Sequence, residues 1–174
     1  MKPHPMLLLI APLLIAACAT GSSSQPYVVA LLQPTRGNTA TGTIWLTQQG
    51  SEVAVRGKVS GLKPNQEHGF HVHEKGDCSS GDGMSTKGHF NPQGKPHAHP
   101  STSERHAGDM PALKADAYGN ARVDATLDII SVNAGPTSVI GRGLIVHAAP
   151  DDYKTQPTGN AGARLACAII NRKS

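Results

Sequence analysis

Aromatic residues are scarce in this chain: one Trp, three Tyr and two Phe among 174 residues. There is no run of basic residues, and Lys plus Arg (16) barely exceed Asp plus Glu (12). A nucleic-acid groove needs a basic track and stacking platforms, so nucleic acid is not an expected partner. Cysteine is scarce too. Of Cys18, Cys78 and Cys167, no two stand at C-x-x-C spacing, which disfavours iron–sulfur clusters and thiolate zinc fingers. The apolar run Met6–Ala17 has only twelve residues, with Pro12 inside, whereas a bilayer span takes about 20. No stretch repeats apolar residues at a 3.6-residue period with caps, so little helix is expected. Internal repeats and low-complexity tracts are absent.

The short apolar run follows Lys2 and reads as the core of a signal peptide, residues 1–17. Ile15-Ala16-Ala17-Cys18 resembles the lipobox of bacterial lipoproteins. Cys18 is then lipidated and becomes the new N-terminus; an ordinary cleavable leader ending near a cysteine is the alternative. Residues 18–26 are a short polar tether (Ser22-Ser23-Ser24 at its centre) and 27–174 the folded domain. The expected location is the bacterial periplasm. Ala19 after Cys18, rather than Asp, points to an outer-membrane anchor, which would be the chain's only contact with a membrane. In that oxidising compartment two remaining cysteines usually pair. Cys78 and Cys167 are 89 positions apart, a loop whose closure contributes up to about 4–5 kcal/mol in the chain-entropy view. Two buried free thiols are the other reading.

What the chain does have is short strands. Ala121–Ile129 alternates apolar and polar residues throughout, and Val53, Val55 and Val59 share a two-residue rhythm interrupted by Gly57. Tyr27–Gln33, Thr43–Thr47, Phe70–His73, Gly143–Ala148 and Arg164–Ile170 are further candidates. Turn residues separate them: Gly50-Ser51, Gly61 with Pro64-Asn65, and Tyr118-Gly119-Asn120. Such spacing points to an antiparallel sandwich or barrel within the 157 residues from Cys18 to Ser174, enough for one core.

Glu74–Leu113 breaks the pattern with forty residues of mostly Gly, Pro, Ser, His and Lys. A loop that long in a compact domain is functional or disordered. It carries Cys78 and four candidate ligands, and metal binding can order a loop that has no core of its own. The histidines gather on and around it: His71, His73, His89, His97, His106 and His147, with Asp109. His71 and His73 are two apart on a strand and so point to one face. Imidazole-rich donors with one carboxylate suit copper and zinc.

Gly69-Phe70-His71-Val72-His73-Glu74, Gly88-His89-Phe90-Asn91-Pro92, Arg105-His106-Ala107-Gly108-Asp109 and Gly159-Asn160-Ala161-Gly162-Ala163-Arg164-Leu165-Ala166-Cys167 resemble the motifs of copper/zinc superoxide dismutases, in order and over about Tyr27–Asn171. The leader and the place of Cys78 resemble the bacterial periplasmic branch. The resemblance implies an all-β, Greek-key, flattened antiparallel barrel of about eight strands, an immunoglobulin-like sandwich with long metal-binding loops. It implies one copper ion on His71, His73, His89 and His147, and one zinc ion on His89, His97, His106 and Asp109. His89 bridges the two as imidazolate. Asp151 matches the carboxylate that holds one copper histidine and one zinc histidine, and Arg164 the arginine that draws in the anion. The implied reaction is dismutation of superoxide to dioxygen and hydrogen peroxide, in which His89 gives up its copper-side bond on reduction and carries a proton.

His99 is not a ligand of the family and reads as an exposed loop histidine, with an auxiliary metal role as the alternative; His68 reads as structural. Lys87, ahead of Lys154 and Lys75, is the first choice for steering superoxide, since Tyr153–Thr158 is short. A non-catalytic copper store on the same scaffold is the rival reading, but it has no use for Arg164, Asp151 and a shared His89 together. A structural or adhesive sandwich leaves the long loop unexplained. Either a monomer or a homodimer fits the sequence.

Overall fold

The computed structural model describes residues 25–172. The leader, Cys18 and most of the tether lie outside the described residues. Nine strands run in the order β1 (Tyr27–Pro34), β2 (Thr41–Gln49), β3 (Glu52–Ser60), β4 (Glu67–His68), β5 (Phe70–His73), β6 (Leu113–Lys114), β7 (Ala121–Leu127), β8 (Gly143–His147) and β9 (Arg164–Arg172). The helical content among the described residues is a single 3₁₀ turn, Met84–Thr86. None of those residues forms a helix long and apolar enough to cross a membrane.

All strand pairs are antiparallel. Seven strands follow one another as β5-β8-β9-β1-β2-β3-β7, and β4 pairs with β6. β4 and β5 are one strand interrupted at Gly69, and β6 lies beside β7. The circuit is therefore an eight-stranded flattened barrel. The β3–β4 and β7–β8 connections cross from one side to the other, which is the Greek-key pattern. Alternation explains the packing: β7 buries Ala121, Val123 and Leu127 and turns Arg122 and Asp124 outward. β2 does the same with Ile44 and Leu46 inside and Trp45 outside.

β5 and β8 differ: every residue in both is buried. Phe70, Val72, Leu144 and Val146 face the core. Their neighbours His71, His73 and His147 consequently stand on the outer face, where the long loop covers them. That loop is laid along β5 by backbone bonds: Val72 N–H donates to Gly108, Phe90 N–H to Val72 and Glu74 N–H to Gly88. Gly108 is required at this crossing, because a Cβ there would sit 2.2 Å from the Val72 carbonyl oxygen. A loop with little apolar surface is thus ordered by the strand it covers.

Cys78 and Cys167 form a disulfide with a Cα–Cα distance of 6.0 Å, as the sequence leads one to expect. It ties the start of the loop to β9. Mass spectrometry of the oxidised protein should find no free thiol from either residue. Reduction should cost up to about 4–5 kcal/mol, lowering the melting temperature by roughly 10 °C. An unchanged melting temperature would show that the bridge does not limit the unfolded chain.

Candidate metal centre

Two groups of donors lie under the loop. One is His71, His73, His89 and His147; the other is His89, His97, His106 and Asp109. Within each group the ligand atoms are no more than 4.8 Å apart, and all seven residues are buried. Strands β5 and β8 supply His71, His73 and His147, and the loop supplies the rest. His89 belongs to both groups. Its ring stacks on His71 at 3.9 Å between centroids and meets His106 edge-on. At 7 % it keeps the greatest exposure of the seven.

The ring nitrogens are sorted by their outer partners. His71 Nε2 donates to Asp151 Oδ2 at 2.7 Å, His73 Nδ1 to the Lys87 carbonyl at 2.8 Å and His147 Nδ1 to the Gly162 carbonyl at 3.2 Å. These bonds take up one nitrogen of each ring and leave the other bare. His71 Nδ1 and His89 Nε2 are buried with no hydrogen-bond partner. His73 Nε2 and His147 Nε2 face each other at 3.3 Å. Four bare lone pairs converging in a dry site repel one another unless a cation lies among them, so the residues present fit a metal ion.

The second group is built around one oxygen. His89 Nδ1 and His97 Nδ1 lie 3.0 and 2.9 Å from Asp109 Oδ1, and His106 Nδ1 lies 3.5 Å from it. Asp109 Oδ2 accepts the backbone N–H groups of Ala98 and His106. Three nitrogens and a carboxylate oxygen are a tetrahedral zinc-type donor set, and four imidazoles a copper-type set. Asp151 connects the groups: its second oxygen accepts from His97 Nε2 at 2.9 Å.

Electrostatics in the metal-free protein oppose charging of the first group. Burial, reinforced by neighbouring histidines, holds His89 down to about 4 and His147 to about 3, and lowers His71 and His73 too. Burial also disfavours charged His97, but bonds to Asp109 and Asp151 outweigh it and raise His97 to about 9. Burial works against both carboxylates, yet the surrounding N–H groups keep Asp109 and Asp151 well below the ordinary range. Unfolded histidines titrate near 6.5. These four histidines therefore bind protons more readily in the unfolded chain; the contributions of His89 and His147 are lost as pH falls from 6.5 through about 4 and about 3, and His71 and His73 act in the same direction. His97 contributes the opposite way, supporting the fold below 6.5 and losing that support as pH rises through about 9. With four groups against one, the melting temperature of metal-free protein should fall steadily from pH 7 to pH 4. Calorimetry showing a flat or rising trend would contradict this.

Arg164 is the direct cross-strand partner of His147 at the start of β9. Its half-buried guanidinium donates to the carbonyls of Gly83 and Lys87 and to Thr86 Oγ1. These acceptors are all uncharged, so they fix the guanidinium in place, and Asp82 near it offsets part of its charge. Lys87 is exposed, and its Nζ lies 3.9 Å from Glu74, which offsets part of its charge. Lys75 and Lys154 are exposed. His99 is exposed, belongs to neither group, and its Nδ1 accepts from Ser101 N–H. His68 is buried and donates to the His147 carbonyl at 2.8 Å.

Two supports were not visible in the sequence. Gln156 clamps the His97 backbone, accepting from its N–H at 2.8 Å and donating to its carbonyl at 2.7 Å. Gly159 has φ +63°, and a Cβ there would fall 1.8 Å from Asp151 Oδ1. A Gly-Asn pair twelve residues past His147 is the only trace of the second, and a lone Gln leaves no trace at all.

Comparison with known proteins agrees with this geometry. The family model described as copper/zinc superoxide dismutase matches residues 40–170. Superoxide dismutase [Cu-Zn] 2 of Aquifex aeolicus (strain VF5) is 41% identical over 133 residues, 74% of this chain and 78% of the relative. Superoxide dismutase [Cu-Zn] 1 of the same organism is 41% identical over 133 residues, covering 74% and 79%. A solved structure described as the clock protein EA4 superposes with a TM-score of 0.78 at 41% identity, covering 88% of this chain and 98% of that one. With three-quarters of its length matched and its histidines gathered into two donor sets, the chain belongs to the copper/zinc superoxide dismutase family.

Proposed function

We propose that this chain dismutates superoxide, with copper held by His71, His73, His89 and His147 and zinc by His89, His97, His106 and Asp109. One observation carries the assignment: His89 offers a nitrogen to each cluster, Nε2 to one and Nδ1 to the other. Copper when bound supplies a one-electron couple between two superoxide ions, and zinc, being d¹⁰, supplies charge without redox chemistry.

The chain's own residues do the remainder. Arg164 presents a permanent charge to a small anion, from a position beside His147. His89 Nε2 has no acceptor within the fold, so a proton placed there can only be handed to something entering the cavity. Asp151 holds His71 and His97 in fixed tautomers and so keeps their Nδ1 atoms free to coordinate. The two protons consumed in forming hydrogen peroxide from two superoxide ions enter through solvent near His89. Family membership in the named dismutases supports the reaction.

The lipobox-like Ile15–Cys18 supports an envelope location: removal of residues 1–17, an acylated Cys18, and a domain tethered in the periplasm that intercepts superoxide there. The test is metal content with activity. One copper and one zinc per chain, with rapid dismutation lost on copper chelation, is the expected result. Full copper without dismutation would support the storage reading.

A further inference from the structure

We infer that Thr86 is a positioning residue for superoxide capture: its buried hydroxyl holds the Arg164 guanidinium in the orientation that meets the anion. This rests on the reading of Arg164 as the group that draws superoxide in. Thr86 closes the 3₁₀ turn Met84–Thr86 and is the one buried residue in it. Gly83 and Lys87, on either side of the turn, have φ 79° and 63°. Both branches of the Thr86 side chain are engaged. The methyl packs on Gly143 at the start of β8. Gly143 has no left-handed φ, so it is there for space: a Cβ would fall 2.9 Å from Thr86 Cγ2 and 3.0 Å from Thr86 Cβ. The strand omits a side chain where the threonine methyl goes.

The other branch, Oγ1, carries one proton and two lone pairs. It donates to the Gly83 carbonyl at 2.9 Å and accepts from Arg164 Nη1 at 2.8 Å. His73 Nδ1 is 3.2 Å away but directs its proton to the Lys87 carbonyl at 2.8 Å. The guanidinium is therefore the donor that Oγ1 is left to accept. A β-branched side chain held at both branches keeps a single rotamer. The effect is felt on the rest of the guanidinium. Nη1 bonds to Gly83 and Thr86, and Nη2 to Lys87. Nε–H and the second Nη2–H have no partner among the described residues, and two free donors on one planar cation suit a two-atom anion. Without the Thr86 bond one Nη1–H is released and the plane can turn, so the free donors no longer face the anion in one orientation.

Two substitutions separate the branches. Thr86→Val keeps the shape and the Gly143 contact without the hydroxyl; Thr86→Ser keeps the hydroxyl without the methyl. Thr86→Val holoenzyme should hold parental copper and zinc yet dismutate about tenfold more slowly at low salt, which is the effect of one bond to a charged group. It should also bind azide, a small anion, severalfold more weakly in its copper(II) form. In the reduced, diamagnetic holoenzyme the guanidinium N–H resonances of Arg164 should be resolved in the parent and merged by rotation in Thr86→Val. Thr86→Ser should restore most of each property. In an Arg164→Gln background Thr86→Val should add little, because the threonine acts through the arginine. If valine does not fold at 86, Thr86→Ala carries the same expectations. A hydroxyl-free variant with the parent rate and azide affinity overturns the positioning role. So does a Thr86→Ser enzyme as slow as Thr86→Val, which makes the role one of packing, and so does an unchanged effect of Thr86→Val in the Arg164→Gln background. Arg164→Gln at the parent rate instead sinks the reading of Arg164 itself.

Discussion

Replacing His89 with alanine is expected to empty both metal sites at once. Each of the other six ligands serves one cluster, whereas His89 serves two. Its loss leaves three imidazoles on one side and two imidazoles with Asp109 on the other. It also opens a gap where its ring stacked on His71. A metal present at a thousandfold its dissociation constant contributes about 4 kcal/mol to the folded state. Two lost sites therefore remove about 8 kcal/mol, a fall of roughly 15 °C or more in melting temperature for a domain of this size. His99→Ala is the matched control: it removes a loop histidine that lies in neither cluster and should leave copper, zinc and melting temperature as they were. Elemental analysis of the two variants decides the point. Parental copper and zinc in the His89 variant would refute the shared ligand.

Arg164→Glu should slow dismutation about a hundredfold while copper stays bound. Steering by fixed charge changes capture rates by about 10 to 10³, and Arg164 lies beside a proposed copper ligand without being one. Reversing its charge adds repulsion in a half-buried place where solvent screens weakly. The parent rate should fall as ionic strength rises, and the variant rate should depend on salt much less. Because Arg164 also holds the loop through Gly83, Thr86 and Lys87, Arg164→Gln separates the two roles. It keeps donors, lacks charge, and should fall between parent and Arg164→Glu. If Arg164→Glu works at the parent rate with its copper in place, the arginine does not capture the substrate and a copper-storing protein becomes the better description.

The strands were readable where side chains alternate between water and core. β7 shows this in full, and β5 could be placed because Phe70 and Val72 interleave with two histidines. The pairing of β4 with β6 was not readable, since two-residue strands have no period. Alternation also gives the repeat of a strand without saying which apolar residues face inward. Trp45 and Leu31 are apolar and yet lie outside, because that choice is made by the closure of the whole barrel. At the site, residue types carried the information. Seven donors on and around a loop poor in apolar residues suggested a metal centre before any fold was known. What stayed hidden were contacts made by ordinary residues at long range: Gln156 on His97, and carbonyls such as those of Gly162 and Lys87 that choose a ring's tautomer.

The Lys87 carbonyl accepts from His73 Nδ1 at 2.8 Å and from Arg164 Nη2 at 2.5 Å. Lys87 holds that carbonyl with φ 63° and ψ −146°, a backbone region that non-glycine residues enter at a cost of about 1–3 kcal/mol. One peptide group is thus the common datum for the ring that grips the metal and the cation that meets the anion. The two cannot drift independently. A shift in the loop that misplaces the arginine also turns the imidazole, so weakened capture and weakened coordination should be inherited together. A lineage altering this loop must then find changes that preserve the position of a single oxygen atom, whatever side chain stands at 87.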